Sequence, residues 1–103
     1  MPDATLILRR PGKRGLFVRA WEVEVDGKRI AKLRPGSERR VTLKPGRHRL
    51  NLWKGGVGAL PMTLTLLRGE EAVVEAMTMV RAVELGLIEP GFAPDPLFLR
   101  RVG

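Results

Sequence analysis

Turn signals recur along most of this chain at intervals of about ten residues. They are "PGKRG" at 11–15, "DGK" at 26–28, "RPGS" at 34–37, "KPGR" at 44–47, "KGGVG" at 54–58 and "RGEE" at 68–71. Short apolar runs fill the intervals, a pattern typical of antiparallel strands in a sandwich or barrel. The sequence therefore predicts an all-β fold: an antiparallel β-sandwich of about seven short strands, with an irregular Pro-rich C-terminal tail.

The first clear hairpin is predicted around an Asp-Gly turn. Residues 21–25, "WEVEV", alternate apolar and acidic side chains, which indicates a strand with one buried face. Asp26 and Gly27 follow, and both tolerate the positive φ of a two-residue turn. Direct pairing across this turn predicts that Glu24 lies opposite Arg29.

The same pairing raises a difficulty further along the hairpin. It sets Val23 opposite Ile30, and its continuation places Ala31 and Leu33 on the charged side of the sheet. Either a β-bulge intervenes, or that side of the sheet is partly covered. The sequence leaves both alternatives open.

Residues 47–53, "RHRLNLW", alternate without interruption and predict another strand. One set of side chains is predicted to point inward: His48, Leu50 and Leu52. The other set is predicted to point outward: Arg47, Arg49, Asn51 and Trp53.

Residues 71–86 are ambiguous between strand and helix. Their apolar positions satisfy a helical spacing as well as a strand, and Ala, Glu and Met favour a helix. We predict a strand to about Met79.

The composition limits the possible chemistry. The chain has 103 residues, of which 44% are hydrophobic, enough for one domain with one core. The absence of cysteine excludes disulfides and thiolate chemistry, and a single histidine cannot complete a zinc site alone. No set of nucleophile, base and orienting group can be assembled. The sequence predicts no metal, no cofactor and no enzymatic activity.

Three further segments resemble catalytic or binding motifs. His48 is the one candidate base near neutral pH, but its inward position beside Leu50 predicts a hydrogen-bonded core residue. Glu22 and Glu24 share one strand face, where we expect a cross-strand charge ladder. The segment 55–58, "GGVG", lacks the Lys and Ser or Thr of a phosphate loop and predicts a flexible hairpin loop.

The last fifth of the chain differs in character from the rest. We divide the chain into a β-sandwich domain at 1–82 and an apolar, Pro-rich tail at 83–103, which we expect to dock on the domain or on a partner. A homo-oligomer formed through the tail is one such possibility. The candidate tail interface comprises Leu87, Ile88, Phe92, Leu97, Phe98 and Leu99.

Positive charge is concentrated in the first half of the chain. The net charge is +8; residues 1–54 hold fifteen Lys and Arg against five acids, whereas residues 55–103 hold four against six. If the predicted alternation holds, several cations and one aromatic share an exposed face and edge. This candidate anion-binding or partner-binding set comprises Arg40, Lys44, Arg47, Arg49, Trp53 and Lys54.

Composition also bears on location and origin. No segment approaches the roughly 18 apolar residues that span a bilayer, and the N-terminus lacks a secretory pattern, so we expect a cytoplasmic protein. Fourteen Arg against five Lys, no Gln and eight Pro are typical of a thermophile, although a GC-rich genome produces a similar bias.

Two turn motifs support a resemblance to a known family. The pattern "V-x-V-D-G-K-x-I-A-x-L" followed by "L-K-P-G-R-H-x-L", within residues 22–52, resembles PEGA-type domains and a related family of small bacterial lipoproteins. The resemblance implies a small antiparallel β-sandwich with a non-enzymatic role in interaction or at a surface. This chain lacks the lipobox cysteine of those lipoproteins and adds the Pro-rich tail.

These observations predict two functions. The preferred prediction is a non-enzymatic interaction module that binds another protein or itself. The alternative is a module that binds nucleic acid or another polyanion through the basic face of the first half.

Overall fold

The structure is a computed structural model and describes residues 3–12, 19–58, 61–89 and 97–103. These residues form nine strands: β1 (Ala4–Arg10), β2 (Trp21–Val25), β3 (Lys28–Leu33), β4 (Ser37–Leu43), β5 (Gly46–Lys54), β6 (Val57–Gly58), β7 (Met62–Leu66), β8 (Glu71–Thr78) and β9 (Leu97–Arg101). They also form one short helix, α1 (Met79–Glu84).

The strands form two sheets. The first sheet has the order β4-β1-β8-β9, and the second has the order β3-β2-β5, with β6 and β7 both pairing with β5. Every pairing is antiparallel except that between β1 and β8, which is parallel. The predicted all-β sandwich is confirmed. The described residues contain more than the expected seven strands for two reasons. Strand β6 is the two-residue second strand of a hairpin with β5, and β9 comes from the predicted tail.

Alternating side chains from both sheets form the core. Leu6 and Val74 from the first sheet and Val23, Leu50 and Leu52 from the second are completely buried. Successive side chains of a strand point to opposite faces, so these residues place their neighbours on the outer faces of the sandwich. The inward and outward sets predicted for β5 are therefore confirmed.

The β2–β3 hairpin has the predicted turn. Asp26 and Gly27 adopt φ values of 51° and 85°, the left-handed region that a two-residue turn of this kind requires. Glycine enters this region without steric penalty, and aspartate tolerates it better than most residues do. Glu24 lies opposite Arg29, as predicted.

A β-bulge resolves the register problem of this hairpin. The register shifts between Val23 and Glu24, so that Val23 lies opposite Ala31, and the predicted pairing with Ile30 was wrong. The bulge turns Ala31 and Leu33 into the core and leaves Ile30 37% exposed. Of the two alternatives, the bulge is the one that the structure contains.

Strand β8 ends one residue before the predicted position, and a helix follows it. Thr78 caps helix α1, and its Oγ1 accepts a hydrogen bond of 3.1 Å from the backbone N–H of Arg81. The ambiguous segment therefore contains a strand and then a helix. None of the described residues belongs to a helix with the length and hydrophobicity needed to cross a bilayer.

The end of the chain belongs to the sandwich. Strand β9 pairs with β8, and Leu97 and Leu99 are buried in the core, while Phe98 is half-buried on the outer face. Residues 97–101 thus continue the first sheet, in contrast to the irregular tail expected over 83–103. Phe92 and the three prolines of the tail lie outside the described residues.

A buried arginine connects the two sheets. Arg10, the last residue of β1, points inward and is only 6% exposed. Its Nη1 donates hydrogen bonds of 2.9 Å to the carbonyl of Arg19 and 2.8 Å to that of Leu33. The guanidinium lies 3.5 Å from the ring centroid of Trp21. Burial lowers the pKa of Arg10 from its usual value, but arginine stays charged at neutral pH.

We expect the replacement Arg10→Ala to destabilise the fold by about 2–4 kcal/mol. It removes a cation–π contact and leaves the carbonyls of Arg19 and Leu33 without their donor. The matched control is Arg9→Ala, which removes an exposed arginine and should cost less than about 1 kcal/mol. Urea unfolding of both variants measures the difference. Equal losses in the two variants would contradict the role given to Arg10.

Candidate functional site

The outer face of the second sheet carries cations around one tryptophan. On this face, Glu22 lies between Lys32 and Trp53, and Glu24 lies between Arg29 and Asn51. Arg49 lies opposite Thr63, and Arg47 lies opposite Thr65. We call this surface the cationic face, and its basic and aromatic members are Arg29, Lys32, Arg47, Arg49 and Trp53.

Trp53 lies across the cationic face at its β6 end. Its Nε1 donates a hydrogen bond of 3.1 Å to Glu24, toward β2. Its ring packs against Gly58 on β6, where an added Cβ would come within 3.2 Å of the ring. The guanidinium of Arg29 lies 5.4 Å from the ring centroid. The indole is thus held in place by β2 and β6 and remains partly exposed.

The carboxylates of this side of the sandwich are already engaged. Glu22 forms an ion pair with Arg29, and Glu24 accepts from Trp53. Asp26 accepts from His48 and from a backbone N–H of β5. Three cations of the face, Lys32, Arg47 and Arg49, are exposed and form no ion pair within the described part of the chain.

The outer face of the first sheet is organised differently. A row of alternating charge runs across all four strands: Glu38 on β4, Arg9 on β1, Glu75 on β8 and Arg100 on β9. Arg9 bonds Glu38 at 2.6 Å, and Arg100 bonds Glu75 at 2.7 Å. Arginine on this face is therefore neutralised by glutamate on a neighbouring strand.

A second ion pair on the first sheet crosses β1. Arg40 on β4 bonds Glu71 on β8, so the pair spans the outer side of the strand between them. Ile7 of β1 lies directly opposite Arg40 and is only 6% exposed, although it faces outward. The stem of Arg40 can cover Ile7 while its guanidinium reaches Glu71.

His48 joins the β2–β3 turn to the segment between β4 and β5. Its Nδ1 lies 2.6 Å from Asp26 Oδ2, and its Nε2 lies 2.6 Å from the carbonyl oxygen of Lys44. A carboxylate and a carbonyl only accept hydrogen bonds, so both ring nitrogens must donate, and His48 is the imidazolium. The bonds to Lys44 and Asp26 raise the pKa of His48; those from Arg49 N–H and His48 lower the pKa of Asp26.

Two shallow depressions lie beside the cationic face, along β3. One has a volume of about 610 Å³ and is lined by Glu22, Arg29, Ile30, Ala31, Lys32 and Arg39. The other, of about 330 Å³, is lined by Arg19, Ala20, Glu22, Arg29, Lys32 and Gly55. They share Glu22, Arg29 and Lys32, so we treat them as one groove, the β3 groove, lined by four cations and one carboxylate.

The structure separates the predicted anion-binding set. Arg47, Arg49, Trp53 and Lys54 lie on β5, and Lys44 lies just before this strand. Arg40 lies in the other sheet and bonds Glu71, so it does not share their face. The expectation that all six residues form one surface was therefore wrong for Arg40, because β4 pairs with β1 instead of with β5.

Sequence reasoning missed four cations of the groove: Arg19, Arg29, Lys32 and Arg39. The predicted Glu24–Arg29 pairing was the signal for Arg29, since it placed this arginine on the outward side of β2. The signal for Lys32 was the register conflict at Ala31 and Leu33, which a bulge resolves, but the sequence left a second alternative open.

The predicted tail interface is divided as well. Leu97 and Leu99 are in the core, whereas Leu87 is 36% exposed and Ile88 is partly exposed. Across the described residues, no three His, Cys, Asp or Glu side chains lie close enough together to hold a metal ion. No family model, curated protein or solved structure matches this chain.

We expect the stability of the protein to fall as pH rises through the pKa of His48. The folded state raises this pKa, so the stabilisation is complete below about 6.5, the ordinary histidine value, and is lost above the folded-state pKa. The measurement is Tm between pH 6 and pH 9 for the native protein and for His48→Gln. The native Tm should fall more than that of the variant; parallel curves would contradict the imidazolium assignment.

Proposed function

We propose that this protein is a non-catalytic binding module whose partner is a polyanion and that the cationic face makes the contact. The contrast between the two outer faces carries this proposal. The outward-facing Arg9, Arg40 and Arg100 of the first sheet are bonded to glutamates. Lys32, Arg47 and Arg49 of the second sheet are exposed and form no ion pair among the described residues.

Positive potential remains where cations outnumber the carboxylates beside them. Cations paired with carboxylates produce little field beyond a Debye length of about 8–10 Å. On the second sheet, Glu22 and Glu24 lie among the cations and are engaged with Arg29 and Trp53. The cations in excess of these carboxylates produce a positive potential that attracts an anionic chain, and binding gains from counterion release. The groove cations Arg19 and Arg39 and the exposed Lys28, Lys44 and Lys54 extend this potential around the edge of the face.

The preferred prediction from the sequence, association with a protein or a second copy, rested on the turn pattern, on the absence of a catalytic constellation and on the apolar tail. Leu97 and Leu99 of that tail are instead part of the core. Leu87, Ile88 and Phe98 remain as its partly exposed described members, a small surface for a stable interface. The geometry therefore favours the alternative prediction, a polyanion, over a tail-mediated partner.

Several finer predictions remain part of the proposal. They are the resemblance to PEGA-type domains, an origin in a thermophile, a cytoplasmic location and the lack of enzymatic activity. A polyanion-binding role is compatible with each of them, because it needs only an exposed surface and no reacting group.

We expect the native protein to bind heparin or a DNA oligonucleotide at low salt with an affinity that falls steeply as salt rises. Charge reversal at two positions of the face, Lys32→Glu with Arg49→Glu, should weaken binding more than about tenfold and reduce the salt slope by about 1–2. Fluorescence anisotropy with a labelled oligonucleotide at several salt concentrations measures both quantities.

A second double variant distinguishes the effect of the cationic face from the effect of the overall net charge. Arg9→Glu with Arg40→Glu changes the net charge by the same amount at two exposed positions on the outer face of the other sheet. It should keep most of the affinity. Equal weakening in the two double variants would show that only the overall charge matters, and no binding by the native protein at low salt would refute the proposal.

A further inference from the structure

We infer that the polyanion is single-stranded nucleic acid and that Trp53 is the platform on which one of its bases stacks. The inference rests on the proposed function, since it assigns a ligand class to the same face. The ring of Trp53 and the shape of the surface support the ligand class, whereas the exposed cations support the proposed function.

The two tryptophans of this protein differ in how they are used. Trp21 is 5% exposed, and the guanidinium of Arg10 closes over it at 3.5 Å. Trp53 faces outward and is partly exposed, and Arg29 lies 5.4 Å from its centroid, beyond close stacking contact. The side chain of Arg29 is half-exposed and is held in an ion pair with Glu22, so its guanidinium lies over the ring without closing on it. The ring of Trp21 is therefore covered and structural, whereas the ring of Trp53 remains partly accessible to a ligand.

The orientation of Trp53 suits a flat ligand. Its hydrogen bond to Glu24 and its packing against Gly58 fix the ring at two ends across β5. A platform that is already ordered loses little conformational entropy when a base stacks on it. Arg29, which lies over the ring and pairs with Glu22, can exchange this carboxylate for a phosphate or stack on the other side of a base that enters between them.

Cations surround this platform at the distances that an oligonucleotide needs. Along β5, Trp53 and Arg47 are six residues apart, which corresponds to about 20 Å and suits a strand of a few nucleotides. On the other side, Arg29 lies at Trp53, and the β3 groove continues from Arg29 past Lys32 to Arg19 and Arg39. Phosphates can follow these cations in either direction from a stacked base.

The surface favours a single strand over the other polyanions. The described part of the face presents a sheet and a shallow groove, with no helix or ribbon that projects into the major groove of a duplex. An acidic peptide or a sulfated sugar offers anions but no aromatic base for Trp53. A single strand has unstacked bases that can stack on the exposed aromatic ring and phosphates that can pair with the surrounding cations.

The decisive experiment compares four polyanions on the native protein. They are a 15-nucleotide oligothymidine, an abasic oligomer with the same phosphates, a duplex of the same length, and a poly-glutamate peptide. We expect the oligothymidine to bind roughly tenfold more tightly than the abasic oligomer and to quench tryptophan fluorescence. Trp21 is buried, so the quenching reports on Trp53.

Two variants connect the result to Trp53. Trp53→Leu should abolish the preference for oligothymidine over the abasic oligomer, and Trp53→Phe should keep most of it. Circular dichroism of both variants verifies the fold, and the native comparison stands without them. Equal binding of oligothymidine and the abasic oligomer, or tighter binding of the duplex or of a poly-glutamate peptide, would overturn this inference while the proposed function stands. No binding to any of these polyanions would refute both.

Discussion

Burial of the apolar inner faces of the two sheets against each other determines what the outside of this molecule looks like. Leu6 and Leu52, from opposite sheets, are completely excluded from solvent. A slip of β5 by one residue would expose Leu52 and bury Trp53 with its polar Nε1, and exposing one leucine alone costs about 1.5–3 kcal/mol. The outward position of Trp53, Arg47 and Arg49 is therefore a consequence of core packing.

The two outer faces use arginine in opposite ways. On the first sheet, glutamate and arginine alternate across four strands, and exposed pairs of this kind contribute little stability each. Their larger effect is to remove positive potential from that side of the molecule. On the second sheet, Glu22, Glu24 and Asp26 serve as structural partners of Arg29, Trp53 and His48, so the other cations keep their charge available for a ligand.

The local features of the chain could be predicted from the residues themselves. The Asp26–Gly27 turn requires positive φ, a requirement that few residue types meet without strain. His48 lies inward because its neighbours Leu50 and Leu52 must be buried, and its structural hydrogen bonds follow from that position. About half of the candidate site was predictable for the same reason, because Arg47, Arg49 and Trp53 share the parity of one strand.

Local alternation thus settles which residues of a strand are outside, but it does not settle which sheet the strand joins. Arg40 and Arg47 have equivalent patterns in the chain, yet β4 pairs with β1 and β5 pairs with β2, so one is neutralised by Glu71 and the other is not. The entry of β9 into the first sheet is decided in the same way. These features depend on contacts between segments far apart in the chain, whose energies appear only when both sheets are assembled.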